Sequence, residues 1–359
     1  MNLLASKINQ FTEQIMSWHQ QTNMRQMPWK GEKDPYRIWL SEIILQQTRV
    51  EQGWKYYMDF TTSFPDVVAL ANAPNDVVFK KWEGLGYYSR CSNLLATARK
   101  IRDDYNGNFP ADYTSLLSLK GVGPYTAAAI ASFAFGLPEA VVDGNVVRVL
   151  ARFFGINEAF DQTAGRKIFQ NLAHQTLYLL DPAAYNQAIM DFGATVCKPM
   201  APLCTQCPLA KSCFAWKQDR VDLLPVKAKK IQKKNRYFTF FILTHQHQYW
   251  VIRRSGKDIW NHLYTFLLQE HTDSTDFEVF LPTAFSKERE WIIREITSDI
   301  LLPRQALTHQ WIHTRMVQVH LQKKPVNLPE EGVWVDNREL KTLAFPRTLK
   351  KFIIENWQE

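Results

Sequence analysis

Leu116–Ile130, LLSLKGVGPYTAAAI, is the stretch from which the rest of the chain can be ordered. Leu116, Leu117 and Leu119 end one short apolar helix, Gly121 and Gly123 flank Val122, and an alanine-rich helix opens near Thr126. Glycine lets the backbone approach a ligand closely, and the first turn of a helix offers unpaired N–H groups to an anion. Two helices joined by such a turn can hold one DNA phosphate without reading base sequence. An ordinary helical corner uses the same signals. On both sides of the hairpin, residues 1–220 read as mostly helical. Apolar residues recur at spacings of three and four, as in Ile38, Leu40, Ile43, Ile44 and Leu45, or Leu94, Leu95, Ala98 and Ile101.

Further along, four of the five cysteines crowd into one loop. Cys197, Cys204, Cys207 and Cys213 form C-x6-C-x2-C-x5-C, with Cys91 far away. Four thiolates in one short loop suit a metal ion or an iron–sulfur cluster. Two disulfides would fit a small secreted chain, and no leader is read here, so a reducing cytoplasm is the expected compartment, with the protein near the nucleoid. The 359 residues suggest about two domains, and the 46% hydrophobic content is enough for packed cores. No run of eighteen apolar residues occurs, so no membrane helix is expected. The net charge of +8 favours a polyanionic partner, nucleic acid first.

Two carboxylates stand out. Asp143, in Val141-Val142-Asp143-Gly144-Asn145-Val146, precedes the helix Val146–Phe154 and suits an N-cap. The helix end there is expected to lower its pKa and keep it ionised. Glu42 sits among Trp39, Leu40, Ile43, Ile44 and Leu45, facing either solvent or an apolar pocket that raises its pKa. As a pair, one protonated and one charged, they would run acid catalysis beside electrostatic stabilisation.

The last third changes character. Val221–Arg236 carries Lys227, Lys229, Lys230, Lys233, Lys234 and Arg236 against one acid, Asp222, and reads as a basic linker. Tyr237–Thr244, Tyr249–Arg253 and Arg315–Gln322 read as strands, and Lys287–Ile300 and Arg347–Gln358 as helices. Residues 237–359 are therefore expected to form a smaller α+β domain.

Together, Pro28-Trp29, Tyr36–Thr48 (YRIWLSEIILQQT), Trp82–Tyr88 (WEGLGYY), Gly121–Ala127, Asp143–Arg148 and Met190–Cys213 resemble the MutY adenine DNA glycosylases of the helix-hairpin-helix superfamily. The resemblance spans nearly the whole first domain. It implies a mainly α glycosylase domain with a [4Fe–4S] cluster on Cys197, Cys204, Cys207 and Cys213. The implied substrate is duplex DNA with adenine opposite 8-oxoguanine or guanine, the adenine being flipped into a pocket. Glu42 then corresponds to the acid that protonates adenine, and Asp143 to the carboxylate that stabilises the oxocarbenium-like sugar, covalently or by charge. Tyr125 and Asn145 correspond to residues lining that site. Gln47 and Tyr87 correspond to residues that wedge into the opened stack. Gly121, Gly123 and Thr126 belong to the phosphate-binding hairpin, and Lys198 and Lys211 give the cysteine loop a basic face. Endonuclease III-like enzymes carry a strand-cutting lysine where Tyr125 stands, so this chain is expected to stop at the abasic site.

The second half resembles the MutT-like domain of the same family, which reads 8-oxoguanine on the opposite strand. Val251–Arg254 and Trp260–Leu267 fit its start, with Asn261-His262 where Gly-Gly is expected. Arg294-Glu295-Ile296 echoes part of a Nudix hydrolase box, but Ser298-Asp299 replace its glutamates, so no Mg²⁺ site is expected. The family's Phe-Ser-His recognition loop aligns with Trp311-Ile312-His313. Trp311 and His313 are thus expected at the lesion strand, and Ile312→Ser is expected to sharpen discrimination. The chain is expected to act as a monomer, away from membranes; contacts with a sliding clamp or mismatch-repair factors carry no signature. A thymine-glycol or uracil glycosylase/lyase is the rival enzyme, opposed by Tyr125 and the extra domain. A catalytically dead lesion scaffold would require loss of Glu42 or Asp143.

Overall fold

The computed structural model describes residues 3–228, 232–256, 258–279, 292–325, 328 and 331–357. Its contacts divide the chain into two compact units: Met1–Asn72 with Asn93–Lys230, and Ala73–Ser92 with Ile231–Glu359. A segment of the helical half therefore packs with the second unit. The helices run in order as α1 (Leu3–Gln21), α2 (Pro35–Leu45), α3 (Val50–Ser63), α4 (Val67–Asn72), α5 (Asn75–Trp82) and α6 (Ser89–Asp104). They continue as α7 (Tyr113–Ser118), α8 (Pro124–Phe135), α9 (Gly144–Phe154), α10 (Thr163–Thr176), α11 (Pro182–Thr195) and α12 (Phe214–Lys217). None of the described helices is long and apolar enough to cross a membrane.

Helix starts in the first unit follow the local chemistry. Asp34, Asp112, Asp143 and Asp181 each cap a helix by accepting a backbone N–H with the side chain. Such caps supply partners to the otherwise orphan first-turn amides. One core joins Phe11, Ile15 and Trp18 of α1 to Val149, Leu150 and Phe153 of α9 and to Tyr185, Ile189 and Phe192 of α11. The Phe11 and Phe153 rings stand 4.8 Å apart, and Trp18 meets Phe192 edge-on at 5.0 Å. Helix α2 packs on α8 and α9 packs on α11, which gathers the loops at their ends around one cleft.

The second unit is built on a sheet. Its strands are β1 (Lys234–His245), β2 (Gln248–Arg253), β3 (Tyr264–Thr265), β4 (Leu267–His271), β5 (Ile293–Ala306), β6 (Gln310–Leu321) and β7 (Val333–Val335). The strand order is β3-β2-β1-β6-β5, with β4 also paired to β1 and β7 to β2. Strand β1 runs parallel to β6 and antiparallel to β2 and β4. It is buried from Phe238 to Thr244, which explains its nearly continuous apolar run. The strand begins at Lys234, inside the stretch read as a linker.

The helix expected over Lys287–Ile300 is corrected. Residues 287–291 lie outside the described residues, and Ile293–Ile300 belongs to strand β5. The pairing of β5 with β6 shifts register between Ile293 and Glu295, between Ile296 and Ser298, and between Leu302 and Gln305. Each irregularity inserts a residue into the alternation, so the apolar spacing imitates a helix. The partial echo of a hydrolase box at Arg294–Asp299 therefore lies on a strand. The expected helix Arg347–Gln358 is present as Arg347–Asn356.

Candidate active site

Helix α2 carries Glu42 into the interior. Pro35 occupies its first turn, Asp34 caps it, and Tyr36, Ile38, Trp39, Leu40, Ser41, Ile43 and Ile44 are all buried. Arg37 is the exposed residue of this helix and Glu42 lies among its buried ones, so the solvent-facing alternative for Glu42 does not hold. Glu42 is 9% exposed. Desolvation pushes its carboxyl up to about 7 from 4.5; the Tyr125 hydroxyl opposes this by hydrogen bonding to it, while Asp143 adds to it. Tyr125, on the first turn of α8, also directs its hydroxyl at the Met190 Sδ, 3.5 Å away.

Asp143 is the N-cap of α9. The Val146 N–H donates to Oδ1 at 2.8 Å and Asn145 Nδ2 to Oδ2 at 2.6 Å. Sequence reasoning expected the helix end to lower its pKa. The direction is the reverse: burial pushes the carboxyl above its ordinary value, opposed by the Val146 and Asn145 donors and by the Arg148 charge. Both carboxyls are thus raised; Asp143 receives donors from Val146 and Asn145, and Glu42 one from the Tyr125 hydroxyl.

Asn145 is itself held. Arg148 Nη2 donates to Asn145 Oδ1 at 2.8 Å, which leaves the amide nitrogen turned to Asp143. The same guanidinium donates to the carbonyls of Gly193, at 2.7 Å, and Cys197, at 2.7 Å. Gly193 is required by close approach, since a Cβ there would meet the Asn145 Cβ at 2.6 Å.

A cleft of about 740 Å³ brings Glu42, Gln47, Tyr125, Asp143 and Asn145 together. Its wall includes Arg25 and Lys30, which sequence reasoning missed. Asp191, with a fully buried side chain, accepts from Arg25 at 2.9 Å, Lys30 at 3.1 Å, Asn23 at 2.8 Å and Gln187 at 2.9 Å. The sequence signal was the lone acid between Met190 and Phe192, whose charged partners Arg25 and Lys30 lie far upstream in the chain.

The four loop cysteines line one small void. Among the described residues no three His, Cys, Asp or Glu side chains stand close enough to share a single ion. Arg152 reaches Cys197 Sγ at 3.5 Å and donates to the carbonyls of Lys198, Val221 and Leu224, so α9 braces the loop. Burial pushes the Cys207 thiol up to about 12, and raises Cys204 and Cys213, with the neighbouring thiols adding to the effect. Four cysteines lining one void beside a buried guanidinium fit an anionic polynuclear group.

The other expected residues divide. Gly121 has φ 78 and would drive a Cβ to 2.7 Å from the Asn93 Cβ, so glycine is needed there. Gly123 caps α8, which opens at Pro124. Thr126, in the first turn of α8, is 2% exposed, so its side chain is buried. Gln47 and Tyr87, singled out as wedges, both adopt left-handed backbone, with φ 57 and 47. Non-glycine residues pay strain in that region and hold it only where surroundings fix them.

In the second unit, Trp311-Ile312-His313 is not a loop but lies in β6. Alternation turns Ile312 into the core, at 0% exposure, and turns Trp311 and His313 to the opposite face. A serine at 312 would therefore bury its hydroxyl, and the expected gain in discrimination is withdrawn. His313 stacks on Tyr237 at 4.6 Å and its Nε2 pairs with Asn235 Oδ1 at 3.1 Å. Lys233 and Arg304 lie over the Trp311 ring, 4.6 and 4.4 Å from its centroid.

Residues 40–174 match the HhH-GPD superfamily of base excision DNA repair proteins, and residues 238–355 match the NUDIX domain. Glu42, Tyr125 and Asp143 all fall within the first match, so the class is a helix-hairpin-helix DNA glycosylase joined to a NUDIX-type domain. The chain is 32% identical over 351 residues to the adenine DNA glycosylase of Buchnera aphidicola subsp. Acyrthosiphon pisum, covering 97% of this chain and 98% of that one. The human adenine DNA glycosylase is 39% identical over 59% of this chain and 40% of its own length. A solved thermostable thymine-DNA glycosylase superposes with a TM-score of 0.56 at 30% identity, over 60% of this chain and all of that one. The chain belongs to the adenine DNA glycosylase family, the MutY family, and is a DNA glycosylase of base excision repair.

Proposed function

We propose that the chain removes adenine paired with 8-oxoguanine or guanine from duplex DNA by hydrolysis, after flipping the base into the cleft of Glu42 and Asp143. The observation that carries this reading is Glu42, desolvated to a pKa of about 7 in the same cleft as a hydrogen-bonded carboxylate. Adenine leaves poorly as an anion. A neutral Glu42 can donate a proton to a ring nitrogen, which lowers the barrier to cleavage of the glycosidic bond. Cleavage leaves positive charge on the sugar. Asp143 is the counter-charge, and the donors from Val146 and Asn145 hold it in place while an approaching cation favours its ionised form.

With tyrosine at position 125 no imine can form, so water completes the reaction and the strand stays intact. Gln47 and Tyr87 act as wedges, and the first turn of α8 beside Gly121 and Gly123 binds a phosphate. Cys197, Cys204, Cys207 and Cys213 would hold a [4Fe–4S] cluster, which cross-links the loop. Arg152 offsets its negative charge, and Arg148 links the loop to Asn145 in the cleft.

The test is single-turnover incubation with duplexes carrying A opposite 8-oxoguanine, A opposite G, and thymine glycol, scored with and without alkali. Adenine release with alkali-dependent breaks is expected. Breaks without alkali, borohydride trapping of the protein, or preference for thymine glycol would overturn the reading. Iron and sulfide analysis tests the cluster separately, with about four of each expected per chain and one zinc per colourless chain counting against it.

A further inference from the structure

Residues 22–34 join α1 to α2 without a helix or strand, and they supply one wall of the cleft that holds Glu42. Arg25, Met27, Trp29 and Lys30 line that wall. An irregular segment keeps one shape only where its side chains are pinned. Trp29 is one pin: it is 9% exposed and packs on the rings of Tyr57, at 5.4 Å, and Trp54, at 6.3 Å. The other pin is Asp191, on α11. Its side chain is wholly buried, and Oδ1 accepts from Arg25 Nη1 and Gln187 Nε2, each at 2.9 Å. Oδ2 accepts from Asn23 Nδ2 at 2.8 Å and Lys30 Nζ at 3.1 Å. Those four donors fill the acceptor sites of one carboxylate, so Asp191 has none left for a substrate.

The pin reaches further than these contacts. Lys30 Nζ also donates to the Arg25 carbonyl at 2.8 Å, which closes the segment on itself. Asn23 Oδ1 accepts the Arg25 N–H at 3.1 Å, and Asn23 Nδ2 donates to His19 Nδ1 at 2.9 Å as well as to Asp191. An amide nitrogen can only donate, so the neutral His19 ring carries its proton on Nε2. His19, Arg25, Lys30 and Gln187 all line the cleft, whereas Asn23 and Asp191 stand behind them.

We propose that Asp191 is a positioning residue for excision: it fastens residues 22–30 to α11, so that this wall of the cleft is formed before the flipped nucleotide arrives. The inference rests on the reading of the cleft as the site of adenine excision. A wall set in advance uses none of the nucleotide's binding energy to order the segment. Without the Asp191 charge, Arg25 and Lys30 stand uncompensated beside each other, and the segment is driven outward.

The test uses the full chain and a duplex with A opposite 8-oxoguanine. Single-turnover rates at saturating enzyme are compared with affinity for the same duplex carrying 2′-fluoro-2′-deoxyadenosine, whose glycosidic bond resists cleavage. Amide hydrogen exchange is followed in residues 22–30. Asp191→Asn is expected to slow excision by about 10- to 100-fold, the scale of one hydrogen bond to a charged group, and to speed that exchange. Affinity, set mainly by phosphates, is expected to change little. Asp191→Glu, which keeps the charge, should keep most of the rate. Asn23→Ala loosens the pin without altering a cleft-lining residue, and should slow excision by about two- to tenfold. Arg25→Met/Lys30→Met is expected to be slow by itself. Adding Asp191→Asn to it should slow excision little further and raise the melting temperature, because it removes a buried charge left without cations.

If the wild type releases no adenine from this duplex, the reading of the cleft fails and the positioning role falls with it. If the wild type excises but Asp191→Asn matches its rate, or loses as much in affinity as in rate, the cleft reading stands and the positioning role is overturned. The same follows if Asp191→Asn costs as much in the Arg25→Met/Lys30→Met background as alone, or if residues 22–30 exchange no faster. Should Asp191→Asn fail to fold, Asn23→Ala decides the matter by the same comparisons.

Discussion

The cleft of the first unit and the β6 face of the second treat their polar residues in opposite ways. In the cleft, Glu42 and Asp143 are enclosed, and burial pushes both carboxyls upward. On β6, Trp311 and His313 stay half-exposed, held by a stacked Tyr237, by Asn235 and by cations over the indole. The contrast teaches that proton transfer needs desolvation, whereas contact with a nucleic-acid surface needs accessible rings and charges. Substitutions should therefore act differently in the two regions.

The largest expected effect is at Glu42. Glu42→Gln keeps the shape, removes the proton, and should slow single-turnover excision by about 100- to 10,000-fold while mispair binding persists. In the wild type, excision should fall as pH rises through about 7, because the protonated acid is lost. Stability carries the same sign. The folded pKa lies above the unfolded value, so stability is complete below 4.5 and is lost as pH rises towards about 7. Glu42→Gln should remove that slope and raise the melting temperature at pH 8, within a limit of about 3 kcal/mol. Near-normal excision by Glu42→Gln, or an unchanged pH profile, would erase the distinction between the two regions.

Next comes Asp143→Asn. Asparagine caps helices as well as aspartate does, so α9 should survive and the melting curve should barely move. Excision should still fall by about 100-fold, the scale of losing one preorganised electrostatic group. A large loss of stability with little loss of rate would make Asp143 a cap and nothing more.

Ile312→Ser sharpens the comparison from the other side. It should destabilise the second unit by about 3 kcal/mol, since it opens a cavity and buries a hydroxyl in the core. Denaturant unfolding measures this, and a gain in 8-oxoguanine preference without that cost would restore the serine reading. The smallest effect is expected for His313→Ala. It should leave excision of A opposite 8-oxoguanine within a few fold and reduce the preference over A opposite G by about two- to tenfold. Parallel rate measurements on the two duplexes decide it, and an unchanged ratio removes His313 from base reading.

Local chemistry made much of this legible in the chain. The GVG hairpin, the aspartate before α9 and the closely spaced cysteines are short-range patterns, each set by backbone sterics, capping or ligand spacing. The helix misread over Ile293–Ile300 failed for a reason visible only in pairing, because bulges in β5 mimic helical spacing. The burial of Thr126 beside the hairpin was likewise set by packing. Asp191 gave almost no signal, since its partners Arg25 and Lys30 are brought to it only by the fold.

The sequence by itself determined the helical hairpin, the cap at Asp143 and the cysteine spacing, because these depend on neighbours within a few residues. Tertiary structure alone decided that both carboxyls are desolvated, that Asp143 is raised rather than lowered, that Ile312 faces a core, and that Ala73–Ser92 joins the second unit. Burial and pairing depend on residues distant in the chain, and a pKa follows the sum of desolvation and all nearby donors rather than the helix end alone.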